Sequence, residues 1–179
     1  IVTVGWLTMI LSGMVPYYLT NSIDSFSNIF FETMSGYTAT GSTILDDVES
    51  LPKSIIFWRS MTHWLGGMGI IVLAIAILPL LGIGGMQLFS AEVPGSGISG
   101  DKIHPRISAT AKRLWLIYFG LTILETIALS IAGMSFFDAL NHSMSNIATG
   151  GFSTKNESLA YWNSIPSVQY LSLIHISEP

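Results

Sequence analysis

Residues 35–43 of the chain read Ser-Gly-Tyr-Thr-Ala-Thr-Gly-Ser-Thr, and residues 145–154 read Ser-Asn-Ile-Ala-Thr-Gly-Gly-Phe-Ser-Thr. Each stretch follows a short apolar run, residues 25–34 or 135–144, that is too brief to cross a bilayer as a helix. Threonine and glycine do not favour a regular helix beyond that point. The sequence therefore predicts two short helices, each ending in an irregular loop rich in threonine and glycine.

The two stretches belong to an internal repeat. When the chain is shifted by 110 residues, five of seventeen aligned positions are identical, whereas unrelated segments give roughly one. A duplicated unit explains this pattern: a span, a short re-entrant helix, a Thr/Gly loop and a second span. The identical pairs are Ser25 and Ser135, Phe26 and Phe136, Met34 and Met144, Ser35 and Ser145, and Gly41 and Gly151.

The composition indicates that this unit lies in a membrane. Half of the 179 residues are hydrophobic, a tenth are charged, and the mean hydropathy is +0.57, which is too apolar for an ordinary soluble domain. Residues 1–19, 57–81 and 114–133 are each long and apolar enough to span a bilayer, and Pro16 is expected to close the first of these spans. We expect the natural N-terminus to lie upstream, because the first span begins within a hydrophobic run. The absence of cysteine excludes disulfides and thiolate chemistry.

The placement of charge predicts the orientation and the domain organisation. Basic residues cluster between the second and third spans, whereas the segment between the first two spans is mainly acidic. Residues 82–113 are therefore predicted to form a cytoplasmic loop, with both Thr/Gly loops facing outside. Residues 1–81 then form the first repeat, and residues 114–170 form a second repeat that is truncated before its last span. Residues 171–179 resemble a translated sequencing adapter, and we expect them to lie outside the fold.

The Thr/Gly loops suit the coordination of a cation. Non-helical backbone at membrane depth must be buried in protein or line a water-filled path. Glycine can adopt a positive φ, so that successive carbonyls turn toward one axis and replace the water around a cation such as K+. The C-terminal end of each short helix carries partial negative charge toward its loop. We predict a backbone-carbonyl selectivity filter built from Thr38, Ala39, Thr40, Gly41, Thr149, Gly150 and Gly151.

Other polar residues in the spans have several interpretations. Glu125, near the middle of the third span, is a candidate polar site that either bonds a neighbouring helix or loop or contacts the ion. Residues 66–69 of the second span read Gly-Gly-Met-Gly. These small residues either act as a hinge or allow a neighbouring helix to pack closely. Arg59 is expected to snorkel or to pair with an acidic loop residue. No spacing typical of a metal site joins His63, His104 and His142, so we expect no metal besides K+ in the filter and no cofactor.

Over residues 1 to about 170 the chain resembles the membrane subunit of Trk-type potassium uptake systems, within the Trk/Ktr/HKT superfamily. The resemblance implies an all-α integral membrane fold in which four units of helix, re-entrant pore helix, filter loop and helix surround a pseudo-fourfold pore. Two of the four repeats, the second incomplete, are present here. The most specific segments, besides residues 38–43 and 147–154, are Trp-Arg-Ser at 58–60, Trp-Leu-Gly-Gly-Met-Gly-Ile at 64–70, Ile-Leu-Pro at 77–79, Gly-Ile-Gly-Gly-Met-Gln-Leu at 82–88, Ala-Glu-Val-Pro-Gly at 91–95 and His-Pro-Arg-Ile at 104–107.

The resemblance also implies a function and partners. It points to potassium uptake across the bacterial inner membrane, without covalent chemistry, by a multi-pass protein surrounded by lipid. Each repeat of the family contributes one filter glycine, here Gly41 and Gly151. Potassium-preferring relatives carry glycine rather than serine at the first of these, as this chain does. Members pair as homodimers and bind a cytosolic, nucleotide-binding regulatory subunit, and no nucleic-acid partner is expected.

Three alternatives to K+ transport can be compared with the sequence. The first is a relative of the same superfamily that couples transport to Na+ or prefers Na+, which would show the same pattern of spans and Thr/Gly loops. A polytopic membrane enzyme requires clustered titratable residues that face one cavity, and the predicted spans offer only Glu125 near mid-depth. A receptor-like helical bundle has no use for two re-entrant Thr/Gly loops. Transport of K+ is the function that the sequence favours.

Overall fold

The computed structural model describes residues 2–77, 103–162, 164–165 and 167–168. Segment 171–179 and most of the predicted cytoplasmic loop lie outside the described residues. Within them every regular element is helical, in the order of the predicted repeat. The elements are α1 (Val2–Gly13), α2 (Val15–Thr20), α3 (Phe26–Tyr37), α4 (Lys53–Ile77), α5 (Ile103–Ile131), α6 (Phe136–Ile147) and a 3₁₀ helix (Ser158–Trp162).

The chain forms two compact units. The first comprises residues 1–67 and 120–179, and the second comprises residues 68–119. All of the predicted filter residues and Glu125 lie in the first unit. The second unit contains the later part of α4, the beginning of α5 and the segment between them in the chain.

The first predicted span is divided into two helices. Pro16, at which we expected the span to close, lies in the first turn of α2, where its missing N–H costs no helical hydrogen bond. The helix resumes for six residues and ends at Asn21, which adopts a left-handed conformation with φ 47°. The expectation that Pro16 ends the helical segment is therefore wrong, because a proline interrupts a helix but is also well suited to begin one.

The short helices α3 and α6 are twelve residues long and hold corresponding places in the two repeats. At about 1.5 Å per residue each spans about 18 Å, well below the roughly 30 Å of a bilayer core. Ser135 caps α6, because its Oγ accepts from the Asp138 backbone N–H at 3.2 Å and donates to Asp138 Oδ2 at 2.7 Å. Ser25 precedes α3 without a side-chain cap hydrogen bond.

Helix α5 has the length and surface of a membrane span. Its segment Ala111–Ile131 is, among the described residues, the one helix that is long and apolar enough to cross a bilayer. Large apolar side chains along it are exposed, including Leu124 and Ile131. The helix begins at Ile103, within the segment that the sequence assigned to the cytoplasmic loop. A helix can continue beyond the apolar stretch into water, so hydropathy alone sets its start too late.

Polar contacts join the two repeats beyond the Thr/Gly loops, and we name this group of residues the polar clasp: Asp47, Val48, Glu49, Lys155 and Asn156. Asn156 Oδ1 accepts from the Val48 N–H at 2.7 Å, and its Nδ2 donates to Asp47 Oδ1 at 2.9 Å. Lys155 Nζ donates to Glu49 Oε2 at 3.1 Å. The Asn156 hydrogen bond lowers the pKa of Asp47, and the Glu49 hydrogen bond raises the pKa of Lys155.

Within the clasp we expect Asn156 to matter more for stability than Lys155. Asn156→Ala leaves the N–H of the buried Val48 without its partner, which costs about 1–3 kcal/mol. Lys155→Ala removes a partly exposed ion pair worth about 0–1 kcal/mol. Thermal denaturation in detergent followed by size-exclusion chromatography measures both. A larger loss of Tm in Lys155→Ala than in Asn156→Ala contradicts this ranking.

Candidate cation site

Each short helix ends in the same irregular turn. Ala39 and Thr149 adopt left-handed conformations with φ of 52° and 55°, and Gly41 and Gly151 follow with φ of 76° and 85°. Glycine adopts this region readily, but a β-branched threonine there is a rare conformation. Strained backbone of this kind clusters at functional sites. Its occurrence at positions 110 residues apart indicates that both loops have the same role.

The backbone hydrogen bonds of the two loops also correspond. In each loop, two successive backbone N–H groups donate hydrogen bonds to backbone carbonyls in the last turn of the preceding short helix. Thr40 N donates to Ser35 O at 3.0 Å, and the equivalent Gly150 N donates to Ser145 O at 2.8 Å. The preceding amides, Ala39 N and Thr149 N, donate to Gly36 O at 3.0 Å and to Asn146 O at 2.7 Å.

The two loops are in backbone contact at Gly41. A Cβ at Gly41 would collide with the carbonyl oxygen of Gly150, so no larger residue fits without displacing the second loop. A Cβ at Gly150 would in turn collide with the imidazole of His63, which reaches the loop from α4. The structure therefore brings Gly41 of the first Thr/Gly loop and Gly150 of the second together.

Helix α4 packs directly against the end of α3. A Cβ at Gly66 would collide with the carbonyl oxygen of Tyr37, the last residue of α3. A Cβ at Gly36 would collide with the Thr62 side chain. Close helix packing, one of the two interpretations of residues 66–69, is therefore confirmed at Gly66. Gly69 differs, because no atom of the described residues lies within 4 Å of a Cβ built there.

A buried ion pair lies beside the first loop. Arg59 Nε donates to Glu32 Oε1 at 2.9 Å, and the two side chains are 2% and 0% exposed. The expectation that Arg59 snorkels or pairs with a loop carboxylate is wrong, because its partner is on the short helix α3. Sequence reasoning did not assign a role to Glu32, although a carboxylate within a predicted re-entrant apolar helix is a candidate functional residue by default.

Glu32 and His142 occupy equivalent positions, 110 residues apart, and bind equivalent loop residues. Thr43 Oγ1 donates to Glu32 Oε1 at 3.0 Å, and Ser153 Oγ lies 3.3 Å from His142 Nε2 in a hydrogen bond. Thr43 lies two residues beyond Gly41, and Ser153 lies two residues beyond Gly151. Each short helix therefore tethers the end of its own loop. Counting identical residues between the repeats did not reveal this correspondence, because the first repeat uses a carboxylate where the second uses an imidazole.

The two histidines near the loops are packed as structural groups. His63 stacks on Phe152 with ring centroids 3.9 Å apart, and its Nδ1 lies 3.0 Å from Ser145 Oγ. His142 meets the edge of Trp162 at 5.0 Å. Among the described residues, no three side chains of histidine, aspartate or glutamate are grouped so that they could hold a metal ion.

Glu125 lies beside the second short helix. Its Oε1 accepts from Asn146 Nδ2 at 3.0 Å, and both residues are buried. Asn146 also accepts the Thr149 N–H through its backbone carbonyl. The carboxylate of α5 is thus linked through Asn146 to the start of the second loop.

A helix that is long and apolar enough to span a bilayer, two helices that are too short to do so and a pair of irregular loops fit the architecture of an all-α membrane transport protein. The model of the family described as "TrkH: Cation transport protein" matches residues 1–177, including most of segment 171–179. The chain belongs to this family. The family transports cations and is not a family of enzymes, which decides against the alternative of a membrane enzyme.

Individual relatives agree with this assignment. The chain is 48% identical over 177 residues to the Trk system potassium uptake protein TrkH of Salmonella typhimurium, with 98% of this chain and 36% of the relative covered. It is 41% identical over 164 residues to the Trk system potassium uptake protein TrkG of Escherichia coli, covering 91% of this chain and 34% of that protein. The crystal structure of the potassium transporter TrkH from Vibrio parahaemolyticus matches with a TM-score of 0.81 and 42% identity, covering 98% of this chain and 34% of that one. The chain therefore spans about a third of the length of these relatives.

Proposed function

We propose that this chain supplies part of a K+ uptake pathway across the bacterial inner membrane, in which ions pass along the two Thr/Gly loops. The observation that carries the proposal is the pair of repeated strained turns, at residues 39–41 and 149–151, that meet backbone to backbone. The names of the relatives, potassium uptake proteins, support the choice of K+.

Backbone carbonyls are the proposed ion ligands. The loop residues are Thr38, Ala39, Thr40, Gly41, Thr149, Gly150 and Gly151, and none has an ionisable side chain. Neutral carbonyl ligands replace the hydration shell of a monovalent cation without binding it so tightly that it cannot leave. Helices α3 and α6 point their partly negative ends at the loops, which favours a cation there. Glu125 has a structural role in this proposal, because its carboxylate bonds Asn146 of α6.

We further infer that the chain contributes two of four repeats that surround one pore. Residues 1–81 and 114–170 are the two repeats, the second without its last span, and residues 82–113 connect them on the cytoplasmic side. The length of the relatives, about three times that of this chain, supports this organisation. The chain alone is therefore not expected to form a selective pore. The proposed assembly is a homodimer in lipid with a cytosolic nucleotide-binding regulatory subunit, and both filter loops face outside.

Rescue of a potassium-uptake-deficient bacterium at low external K+ tests the proposal. The full-length transporter from the source gene, expressed with its regulatory subunit, is expected to restore growth. A Gly41→Asp variant that reaches the membrane at normal levels is expected not to restore it. Failure of a well-expressed natural protein to restore growth at low K+, together with measurable uptake of Na+, would support the Na+-preferring alternative instead.

A further inference from the structure

We propose that Glu32 and Arg59 are positioning residues that hold the two filter loops at a fixed separation, so that selection of K+ over Na+ depends on this buried pair. The inference rests on the proposed function, because it assigns the pair a role in that filter. Neither residue belongs to a loop itself. Each acts through the contacts it makes with residues just beyond the filter glycines.

Glu32 fixes the first loop. Both of its carboxylate oxygens accept from Thr43 Oγ1, at 3.0 and 3.1 Å, and Oε2 also accepts from the backbone N–H of Ile44 at 3.2 Å. A carboxylate with this many hydrogen bonds in a buried setting holds its partners in a defined geometry. The end of the first loop is therefore attached to α3 at both a side chain and the backbone.

Arg59 connects this attachment to the second loop. Its Nη2 donates to Thr43 Oγ1 at 3.1 Å while its Nε donates to Glu32. The guanidinium carbon lies 4.2 Å from the centre of the Phe152 ring, and Phe152 follows Gly151 directly. One planar cation therefore touches Thr43 of the first loop and the aromatic side chain of the second.

The second loop also contacts His63, which is on α4 like Arg59. Phe152 is 3% exposed and packs against both the guanidinium of Arg59 and the imidazole of His63, and the imidazole also fills the space beside Gly150. Loops fixed by these contacts cannot contract around the smaller Na+ ion to recover the coordination that it loses. A general role in folding predicts a loss of stability alone, whereas a positioning role predicts a loss of selectivity in protein that is still folded.

The test measures the ratio of K+ to Na+ uptake by the full-length transporter in proteoliposomes, for the natural protein and two variants. Arg59→Lys keeps the charge beside Glu32 but removes the planar group that stacks on Phe152. Phe152→Leu leaves the ion pair intact and removes the aromatic ring that the guanidinium of Arg59 and the imidazole of His63 both contact. We expect the ratio to fall about tenfold in Arg59→Lys and about threefold in Phe152→Leu, with Tm within a few degrees of the natural protein.

Lys155→Met is the matched control, because it removes the exposed ion pair with Glu49 and is expected to leave the ratio unchanged. An unchanged ratio in folded Arg59→Lys, while the natural protein selects K+, overturns the inference and leaves the proposed function intact. If Arg59→Lys does not fold, the ratio of Phe152→Leu decides in the same way. A natural protein that takes up no K+ overturns both the proposed function and the inference.

Discussion

A Gly41→Ala variant of the full-length transporter is expected to lose K+ uptake by at least about a hundredfold, the effect of a barrier raised by about 3 kcal/mol. Two physical costs combine at this position. Gly41 has φ 76°, a region in which an L side chain is strained by about 1–2 kcal/mol. The new Cβ also collides with the carbonyl oxygen of Gly150, a backbone atom that moves only with the second loop.

Gly133→Ala is the matched control for backbone strain. Gly133 also has a positive φ, 114°, but it follows α5 rather than a short helix. Its Cβ would make an ordinary contact, 3.5 Å from Ile165 Cδ1. Initial rates of K+ uptake, normalised to the amount of protein in the membrane, compare the two variants. Equal losses would mean that backbone strain alone, and not contact between the loops, accounts for the effect.

Gly66→Ala is expected to destabilise the first repeat. The added methyl group collides with the Tyr37 carbonyl oxygen at the end of α3, so α4 and α3 must move apart. Overpacking commonly costs about 1–3 kcal/mol, and the upper end applies here because the obstacle is backbone. We expect a fall in Tm of several degrees and less protein recovered from the membrane.

Gly69→Ala lies one helical turn further along α4 and provides the comparison. No described atom lies near its Cβ, so alanine should be tolerated or should raise Tm slightly through its better helix propensity. Thermal denaturation monitored by size-exclusion chromatography, with both variants in the same detergent, gives the two values. A Gly66→Ala protein as stable as Gly69→Ala is incompatible with the packing described for α4.

The sequence repeat anticipated the parts of the fold that depend on local chemistry. The two short apolar runs that end at Thr/Gly stretches were predicted to be short helices, and they are α3 and α6. This prediction needs only the length of each run and the helix-breaking residues that follow it, both of which are local features of the sequence. The start of α5 was placed too late, because hydropathy reports apolarity and not helix length. The first predicted span also proved to be two helices, because Pro16 begins a second helix there.

The contacts that join the loops were less accessible to sequence reasoning. The pair of Glu32 and Arg59 brings together residues that are 27 positions apart, and only the packing of α3 on α4 makes them neighbours. The contacts of Phe152 with Arg59 and His63 were also missed, because they depend on the packing of α4 against the second loop. The assignment of residues 38–41 and 149–151 as ion ligands remains a prediction that transport measurements can test.

The two tethers have consequences for protein engineering. The first repeat uses a carboxylate that requires a cationic neighbour, whereas the second uses an imidazole that bonds Ser153. A loop transplanted from the first repeat into another scaffold therefore needs Glu32, Thr43 and Arg59 to be transferred together. Transferred without Arg59, the graft would bury a lone anion. The second loop needs no counterion for its own tether, but its Phe152 packs against Arg59 and His63, so that loop also has to be transferred together with α4.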